Sequence, residues 1–310
     1  MKFSILIPAY KAKFLREAID SILGQTNKDF ELIIVNDASP EDIDSIVESY
    51  KDKRIKYYKN DYNIGALNLV DNWNKCLKYA KGEYIICMGD DDKLLPNCLD
   101  EYKKLIDSYP GIGLLHGWTE IIDENSKPYQ MTTMRGLHES AISLSWHRIK
   151  GAYNQQFIGD FCFEREWLVK NGGFYNIPLA WGSDDISAVI GASKNGVANT
   201  QVPVFQYRAN RYSVSSTGNV DIKIQAIQQT KEWFKNFLSE RQDNFVDELY
   251  REDALKAIDH NFEKKIGLTL ARDISQKGYG RMIYWIHKMN KCHISKRSLI
   301  YGIIKAKTIN

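Results

Sequence analysis

The segment FSILIPAY, residues 3–10, is apolar at nearly every position. A strand with one solvent-facing side alternates apolar and polar residues, so a strand that is apolar throughout must be buried on both faces. FELIIVND, residues 30–37, and EYIICM, residues 83–88, have the same character. Strands of this kind need a layer of helices on each side of their sheet, which favours an α/β fold.

Segments with helical spacing separate these strands. A helix is predicted in SPEDIDSIVESY, with Ser39 as the N-cap and Pro40 at the first helical position. Another is predicted in LVDNWNKCLKYAKG and should end at Gly82. A third is predicted from the apolar spacing of Phe14, Leu15, Ala18, Ile19, Ile22 and Leu23. The alternation predicts a Rossmann-like, mainly parallel open sheet flanked by helices.

Polar clusters follow three of these strands, in the order PAYKA, NDAS and GDDDK. Ligands of open α/β sheets bind at the carboxyl ends of the strands, so the clusters predict one binding site. In GDDDK the adjacent side chains of Asp90, Asp91 and Asp92 repel one another unless water or a cation compensates them. Mg²⁺ and Mn²⁺ bind carboxylate oxygens together with substrate phosphates, which makes a cation site one interpretation. A solvated acidic turn before the next helix is the other.

A second acidic pair, Asp184 and Asp185, lies in WGSDDISAVIG just before a predicted helix. Carboxylates at this place can satisfy free backbone N–H groups of the first helical turn. A carboxylate within about 3 Å of a substrate hydroxyl can also take its proton. The two interpretations are compatible.

The chain becomes helical in pattern after about Gly218, and we place a boundary near Val220. Residues 1–219 are predicted to form the α/β domain, and residues 220–310 a helical, basic C-terminal region. Between Ile274 and Asn310 there are eight Lys or Arg residues and no Asp or Glu, so the chain's net charge of +3 leaves −5 for the first 273 residues.

Basic segments interleaved with aromatic and aliphatic residues bind anionic membrane surfaces, and this segment has that composition. The alternative is a helical bundle that packs on the α/β domain with a basic outer face. No nucleic-acid-binding motif accompanies the charge, so nucleic acid is not an expected partner.

Composition and length favour a cytoplasmic protein. The five cysteines are scattered and not arranged as CxxC, so neither a disulfide framework nor a zinc site is indicated. No run approaches the roughly 18 apolar residues of a membrane span. The apolar start, MKFSILIPAY, is too short for a signal-peptide core and contains Pro8.

The motifs SILIPAYKAKFLREAIDSILGQT, FELIIVNDASPED, NIGALNLVDNWNKCLKYAKGEYIICMGDDDKLLP and WGSDD occur in this order. Over roughly its first 215 residues the chain resembles inverting family-2 glycosyltransferases of the GT-A fold. The resemblance implies transfer of a hexosyl or N-acetylhexosaminyl group from a nucleotide diphosphate sugar, expected to be a UDP-sugar. The acceptor would be a hydroxyl of a glycan or lipid-linked glycan in surface polysaccharide synthesis, with the enzyme at the inner face of the membrane.

The resemblance also implies two halves, a nucleotide-sugar half of about residues 1–120 and an acceptor half of about residues 121–219. In the first, Pro8, Ala9 and Tyr10 would form the loop beneath the nucleoside. The other residues expected to contact the nucleotide sugar are Asp37 at the base edge, Asn68, Asp90 at the ribose, Asp91, and the phosphate donors Arg208 and Arg211.

Asp91 would ligate Mn²⁺ or Mg²⁺, with Asp92 as a second ligand. The family commonly writes this motif as Asp-x-Asp-Asp, and Gly89 stands here where its first acid would be. The family also more often has two acids where this chain has Asn36 and Asp37.

In the acceptor half, the resemblance implies that Asp185 is the general base, with Asp184 as the second candidate. The residues expected on the acceptor side are His116, Trp118 and Trp181. Tryptophan faces stack on sugars, although tryptophan is also a frequent core residue, and His116 is either a packing residue or an acceptor-side residue.

Two other functions were weighed against this one. A nucleotidyltransferase that makes nucleotide sugars usually has a glycine-rich basic loop after its first strand, and IPAYKAKFL has no glycine. A non-catalytic glycan-binding or scaffold protein on the same fold would not need acidic pairs at both places. Release of nucleotide from a nucleotide sugar separates the enzyme from the scaffold.

Overall fold

The computed structural model describes residues 1–209 and 219–308. Its strands are β1 (Phe3–Ala9), β2 (Phe30–Asn36), β3 (Ile55–Lys59), β4 (Tyr84–Cys87), β5 (Lys93–Leu94), β6 (Leu114–Ile122), β7 (Pro128–Met131), β8 (His138–Glu139), β9 (Phe161–Glu164) and β10 (Val197–Arg208). Its α-helices are α1 (Leu15–Leu23), α2 (Ile43–Glu48), α3 (Leu69–Tyr79), α4 (Cys98–Ser108), α5 (Ala141–Lys150), α6 (Arg165–Lys170), α7 (Ser183–Ala192), α8 (Val220–Phe237), α9 (Phe245–Lys277), α10 (Tyr279–Lys288) and α11 (Lys296–Ala306).

One open sheet runs in the order β3-β2-β1-β4-β9-β6-β10-β5, with β7 paired to β6 and β8 to β10. The strands from β3 to β4 pair in parallel, and so do β6 and β10. β9 lies antiparallel between β4 and β6, so the second half of the sheet is mixed. The predicted α/β fold is confirmed, and its parallel part carries the three polar clusters at one edge.

The first strand is buried on both faces, as its composition predicts. Leu6 packs in a core with the apolar side of α3, and Ile5 and Ile7 pack in a second core with α1 and α2. All three residues have no solvent-exposed surface. The sheet therefore holds its strand-end loops in fixed positions relative to the helices on either side.

Two of the predicted helix boundaries are wrong. The second helix begins at Ile43, because Asp42 rather than Ser39 caps it and accepts a hydrogen bond from the Ser45 N–H at 3.1 Å. Ser39 instead donates to the carbonyl of Tyr10 at 2.5 Å and so joins two strand-end loops.

The third helix ends at Tyr79, three residues before Gly82. A Cβ atom on Gly82 would lie 2.6 Å from the backbone of Phe3 and Ser4. This glycine is therefore needed for close approach to β1 and does not end the helix.

The C-terminal helices pack on one another and on the α/β part of the chain. α9, which has 33 residues, contacts α5, α8, α10 and α11. It approaches α11 closely at two glycines, since a Cβ on Gly302 would lie 2.9 Å from the carbonyl oxygen of Gly267. Trp285 is fully buried and donates to Asp273 at 2.8 Å. Part of the basic tail is thus core rather than free surface.

Among the helices that the structure describes, none combines the length and the apolar character needed to cross a membrane.

Candidate functional site

A cleft of about 780 Å³ opens at the carboxyl ends of the parallel strands. Its floor contains residues from all three polar clusters, and Asp184 and Asp185 lie on its side. Residues of α8 and α9 form a further wall, among them Thr230, Phe262 and Lys265. The strand-end clusters and the acidic pair therefore share one cleft, with a wall supplied by the C-terminal region.

The acidic turn of residues 89–92 is tied to the end of β1. One carboxylate oxygen of Asp90 accepts hydrogen bonds from the backbone N–H groups of Tyr10 and Lys11, each at 2.7 Å. Burial raises the pKa of Asp90 to about 6, and the charge of Asp91 adds to the rise. The two N–H groups offset part of the free-energy cost of burying the Asp90 carboxylate, and they fix the turn beside the first strand.

Arg208 braces the same turn from the other side. Its backbone N–H donates to Asp92 at 2.9 Å, and its Nε donates to the carbonyl oxygen of Asp91 at 2.8 Å. Its two terminal nitrogens reach the carbonyl of Asp123 at 3.1 Å and the carboxylate of Glu17 at 2.9 Å. The side chain is buried and is not among the residues that line the cleft, although the sequence predicts it as a phosphate donor. Arg211 lies outside the described residues.

Gly89 marks the place where two carboxylates converge. A Cβ atom there would lie 2.8 Å from one oxygen of Asp91 and 3.0 Å from one oxygen of Asp92. Burial raises the pKa of Asp92 well above its usual range, and the negative charge of Asp91 raises it further. Converging, mutually repelling carboxylate oxygens suit a hard divalent cation.

Such a cation would need further ligands from its substrate. Within the part of the chain that the structure describes, no three His, Cys, Asp or Glu side chains are grouped to hold a metal. Mg²⁺ in particular is commonly held by one or two carboxylates together with substrate phosphates and water. Asp91 and Asp92 fit that pattern.

Asp37 lies in the cleft beneath the loop that follows β3. One of its oxygens accepts from the side chain of Asn60 at 2.8 Å and from the N–H of Ile64 at 2.9 Å. The side-chain amide of Asn63 donates to the Asp37 carbonyl at 3.0 Å, and Gly65 adopts a φ of +81°. Asp37 therefore shapes this loop as well as lining the cleft.

Two of the expected donor-side residues do not line the cleft. Ala9 is fully buried at the end of β1, between the cleft residues Pro8 and Tyr10. Asn68 is exposed in the short 3₁₀ turn Ala66–Asn68, outside the lining. Both residues therefore belong to loops that border the cleft, and their side chains are not part of its lining.

The second acidic pair lies in the first turn of α7, after Gly182 with its φ of +119°. One oxygen of Asp185 accepts from the Gln156 amide at 2.8 Å and forms an ion pair with Arg148. Burial raises the pKa of Asp184 to about 7, and the neighbouring charge of Asp185 contributes. The pair thus contains one anchored carboxylate and one carboxyl group that titrates near neutral pH.

Three residues were expected on the acceptor side, and only Trp181 lines the cleft. His116 is buried within the sheet, 3.8 Å from an oxygen of Asp160 and against the ring of Phe161. Burial lowers its pKa well below the usual range, so the ring is a neutral packing group. Trp118 lies on the same strand, and its backbone N–H donates to the Thr200 hydroxyl. It is not part of the cleft lining. The structure thus places His116 as the packing residue that was one of its two interpretations.

Sequence reasoning missed Arg148, Gln156 and Lys265, which line the cleft. They come from α5, from the loop before β9 and from α9, far from the acidic motifs along the chain. Nothing in their local sequence distinguishes them from surface residues.

Comparison with known proteins agrees with this architecture. Residues 4–165, just over half of the chain, match the sequence model of a family described as Glycosyl transferase family 2. Among solved structures, S. aureus TarS 1-349 in complex with UDP-GlcNAc superposes with a TM-score of 0.72 and 17% identity, covering 99% of this chain and 88% of that one. At this identity the likeness shows the fold alone, and it confirms the GT-A architecture.

Curated relatives match over shorter spans. An uncharacterized glycosyltransferase of Methanocaldococcus jannaschii is 38% identical over 127 residues, which cover 39% of this chain and 43% of that protein. The UDP-Glc:alpha-D-GlcNAc-diphosphoundecaprenol beta-1,3-glucosyltransferase WfgD of Escherichia coli is 33% identical over 124 residues, 40% of this chain and 47% of that protein. The chain thus aligns with less than half the length of these relatives.

The bracing role of Arg208 predicts a loss of stability that does not depend on any ligand. Arg208→Met should lower the free energy of unfolding by about 3 kcal/mol or more, because it leaves Glu17 and the backbone oxygens of Asp91 and Asp123 without their buried partner. Arg54→Met, which breaks a partly exposed pair with Asp52, should cost about 1 kcal/mol or less. Urea denaturation without nucleotide measures both. Equal stability of the two variants would contradict the bracing role.

Proposed function

The chain belongs to glycosyl transferase family 2, and we propose that it transfers a sugar from a UDP-sugar to a hydroxyl of a glycan or lipid-linked acceptor. The observation that carries the proposal is the placement of two separate acidic groups, residues 90–92 and 184–185, on one cleft at the strand ends. The names of WfgD and of the TarS complex, which mention UDP-Glc and UDP-GlcNAc, support a UDP-sugar as the donor.

The donor would lie along the floor of the cleft. Tyr10 and Asp37 would face the nucleoside, and Asp90, held by the end of β1, would face the ribose. The fixed geometry of these groups would orient the donor for attack. Orientation of the two reactants supplies much of the rate enhancement of a two-substrate reaction. Sugar-binding specificity would then come from the space between the acidic turn and α7.

The acidic turn fits a divalent cation, Mn²⁺ or Mg²⁺, held by Asp91 and by the Asp92 oxygen that faces Gly89. Such a cation, when bound, offsets the negative charge that the leaving diphosphate gathers. Arg208 would take part only by holding both aspartates in place.

The acidic pair would serve the nucleophile. We assign the general base to Asp185, whose one oxygen is held by Gln156 and Arg148 while the other stays available to a substrate. As the acceptor oxygen bonds to the anomeric carbon, its proton passes to the carboxylate and the bond from that carbon to the diphosphate oxygen breaks. Attack opposite the leaving group inverts the anomeric centre, through an oxocarbenium-like state of the kind known from glycoside hydrolysis.

Asp91 provides the first test of the donor site. Asp91→Asn should abolish Mn²⁺-dependent binding of UDP, because the amide oxygen is a far weaker ligand for a hard cation. Asp107→Asn, which changes an exposed carboxylate paired with Lys103, is the matched control and should bind UDP as the wild type does. Calorimetric titration with UDP, in Mn²⁺ and in EDTA, measures both. Undiminished Mn²⁺-dependent binding by the Asp91 variant would remove this residue from the site.

The acidic pair predicts a pH profile. Below about pH 7 the Asp184 carboxyl group is protonated, and above it this group is free to accept a proton. Transfer should therefore rise as pH increases through about 7. The charged and titratable groups near Asp184 are Asp185, Arg148, Lys265 and Asp160, and burial raises the pKa of Asp160 to about 8.

Two variants separate the members of the pair. Asp185→Asn should lower kcat about 10²–10⁴-fold with UDP binding retained, the usual effect of losing a general base. Asp184→Asn should keep measurable transfer but lose the rise near pH 7. If Asp184→Asn is instead the inactive variant, the assignment of the base must be reversed.

We also propose that the C-terminal region binds an anionic membrane surface. Helices α10 and α11 expose four isoleucines, each about half or more accessible, beside their lysines and arginines: Ile283, Ile286, Ile300 and Ile304. Exposed aliphatic residues among basic ones are the features that bind anionic lipid. A lipid-linked acceptor, as in the name of WfgD, would be presented at such a surface.

Point substitutions test this docking better than truncation, because the tail also contributes the buried Trp285 and Leu299. Ile304→Glu should lower partition onto anionic liposomes about tenfold, since it removes an inserted aliphatic side chain and adds a repelled charge. Val169→Glu, an equally exposed helical position on α6, should leave partition unchanged. Equal partition by both variants in a sedimentation assay would reject the docking surface.

A further inference from the structure

The wall of the cleft formed by α9 carries two basic residues, Lys265 and Arg272. Phe262, Lys265, Leu268, Thr269 and Arg272 line the cleft, and their spacing of three or four residues places them on one face of the helix. Within residues 1–209 and 219–308, no carboxylate lies within ion-pair distance of Lys265 or Arg272. The Lys265 ammonium lies 4.9 Å from the Phe262 ring. Both basic groups therefore line the cleft without a direct ion pair in the described residues.

Lys223 of α8 lies near these residues. It is buried, and its ammonium lies 4.7 Å from the ring of Trp181, another residue of the cleft. Burial lowers the pKa of Lys223, and the positive charges of Arg272 and Lys277 lower it further. Arg272 therefore has other basic groups as neighbours, and their combined charge would favour an anion bound at this end of the wall.

These cations lie on the acceptor side of the acidic pair. The charged neighbours of Lys265 are Asp184, Asp185 and Arg148. On the other side, the charged neighbours of Tyr207 include Asp91, Asp92 and Asp184. Asp184 therefore acts electrostatically on both Lys265 and Tyr207, and all three line the same cleft as the acidic turn.

We propose that Lys265 and Arg272 form a subsite for a phosphate group of the acceptor. The inference rests on the proposed transfer reaction and names the class of its second substrate. Arg272 follows Lys265 by seven residues, which is about 10 Å along a helix, so the subsite extends away from the base. A guanidinium can donate two parallel hydrogen bonds to the oxygens of a phosphate, and a lysine ammonium adds a compact positive charge. A lipid diphosphate and a phosphodiester-linked glycan both present this chemistry.

Binding of inorganic phosphate tests the subsite directly. The full chain is first saturated with UDP and Mg²⁺, so that the donor site is filled, and is then titrated with phosphate by calorimetry. Lys265→Gln and Arg272→Gln should each weaken phosphate binding about tenfold or more, as expected for a lost charge-assisted hydrogen bond. Lys256→Gln, an exposed lysine of the same helix, should match the wild type.

Two outcomes of this titration would overturn the proposal. One is equal phosphate binding by the wild type and all three variants, because the cations of α9 would then have no part in it. The other is phosphate binding that disappears once UDP is present, which would place the anion in the donor site. UDP binding measured beforehand shows whether the donor site itself exists.

Transfer assays then identify the source of the phosphate. The acceptors are a glycosyl diphosphate lipid, a phosphodiester-linked glycan and a neutral alkyl glycoside. Arg272→Gln should raise KM about tenfold for the phosphorylated acceptor that the enzyme uses, with kcat unchanged and the neutral acceptor unaffected. An equal rise for the neutral acceptor would overturn the phosphate subsite. Wild-type protein that binds phosphate here but never releases UDP from a UDP-sugar would instead contradict the proposed transfer and leave the subsite standing.

Discussion

The cleft depends on keeping a buried acidic turn in place. Three adjacent aspartates repel one another, and burial makes their charges more costly still. The structure offsets this with donors from two distant strands, the N–H groups that follow β1 and the backbone and guanidinium of Arg208 at the end of β10. Because β1 and β10 lie in opposite halves of the sheet, one turn fixes both halves relative to the cleft.

The C-terminal helices complete the site. Their apolar faces bury α9 against α5 and α8, and the close approach at Gly267 and Gly302 locks α11 beside it. That packing determines which face of α9 turns to the cleft, and hence where Lys265 lies relative to Asp185. A region that differs from the α/β domain in pattern and charge therefore contributes to the same chemistry.

The sequence predicts the strands and both acidic clusters well, because apolar runs and strand-end polar residues follow from local physical rules. Its failures have a common cause. Arg208 has the same local sequence whether it faces a phosphate or a buried carbonyl, and the sequence around His116 leaves open whether it packs in the sheet or faces an acceptor. Gln156 and Arg148 were missed because only the folded chain brings them to Asp185. Side-chain direction, unlike strand position, is decided by tertiary contacts.

The two acidic groups differ in what surrounds them, and that difference divides their work. The carboxylates of residues 90–92 face backbone donors and one another, so the proposed cation would offset their charge and could then hold an anionic diphosphate. The pair at 184–185 faces Arg148 and Lys265, so one of its members is anchored while the other titrates near neutral pH. The cleft as a whole is lined by more aspartates than basic residues, and Lys265 and Arg272 lie together on the wall formed by α9. The proposed phosphate of the acceptor would meet positive charge at that wall and not at the acidic turn.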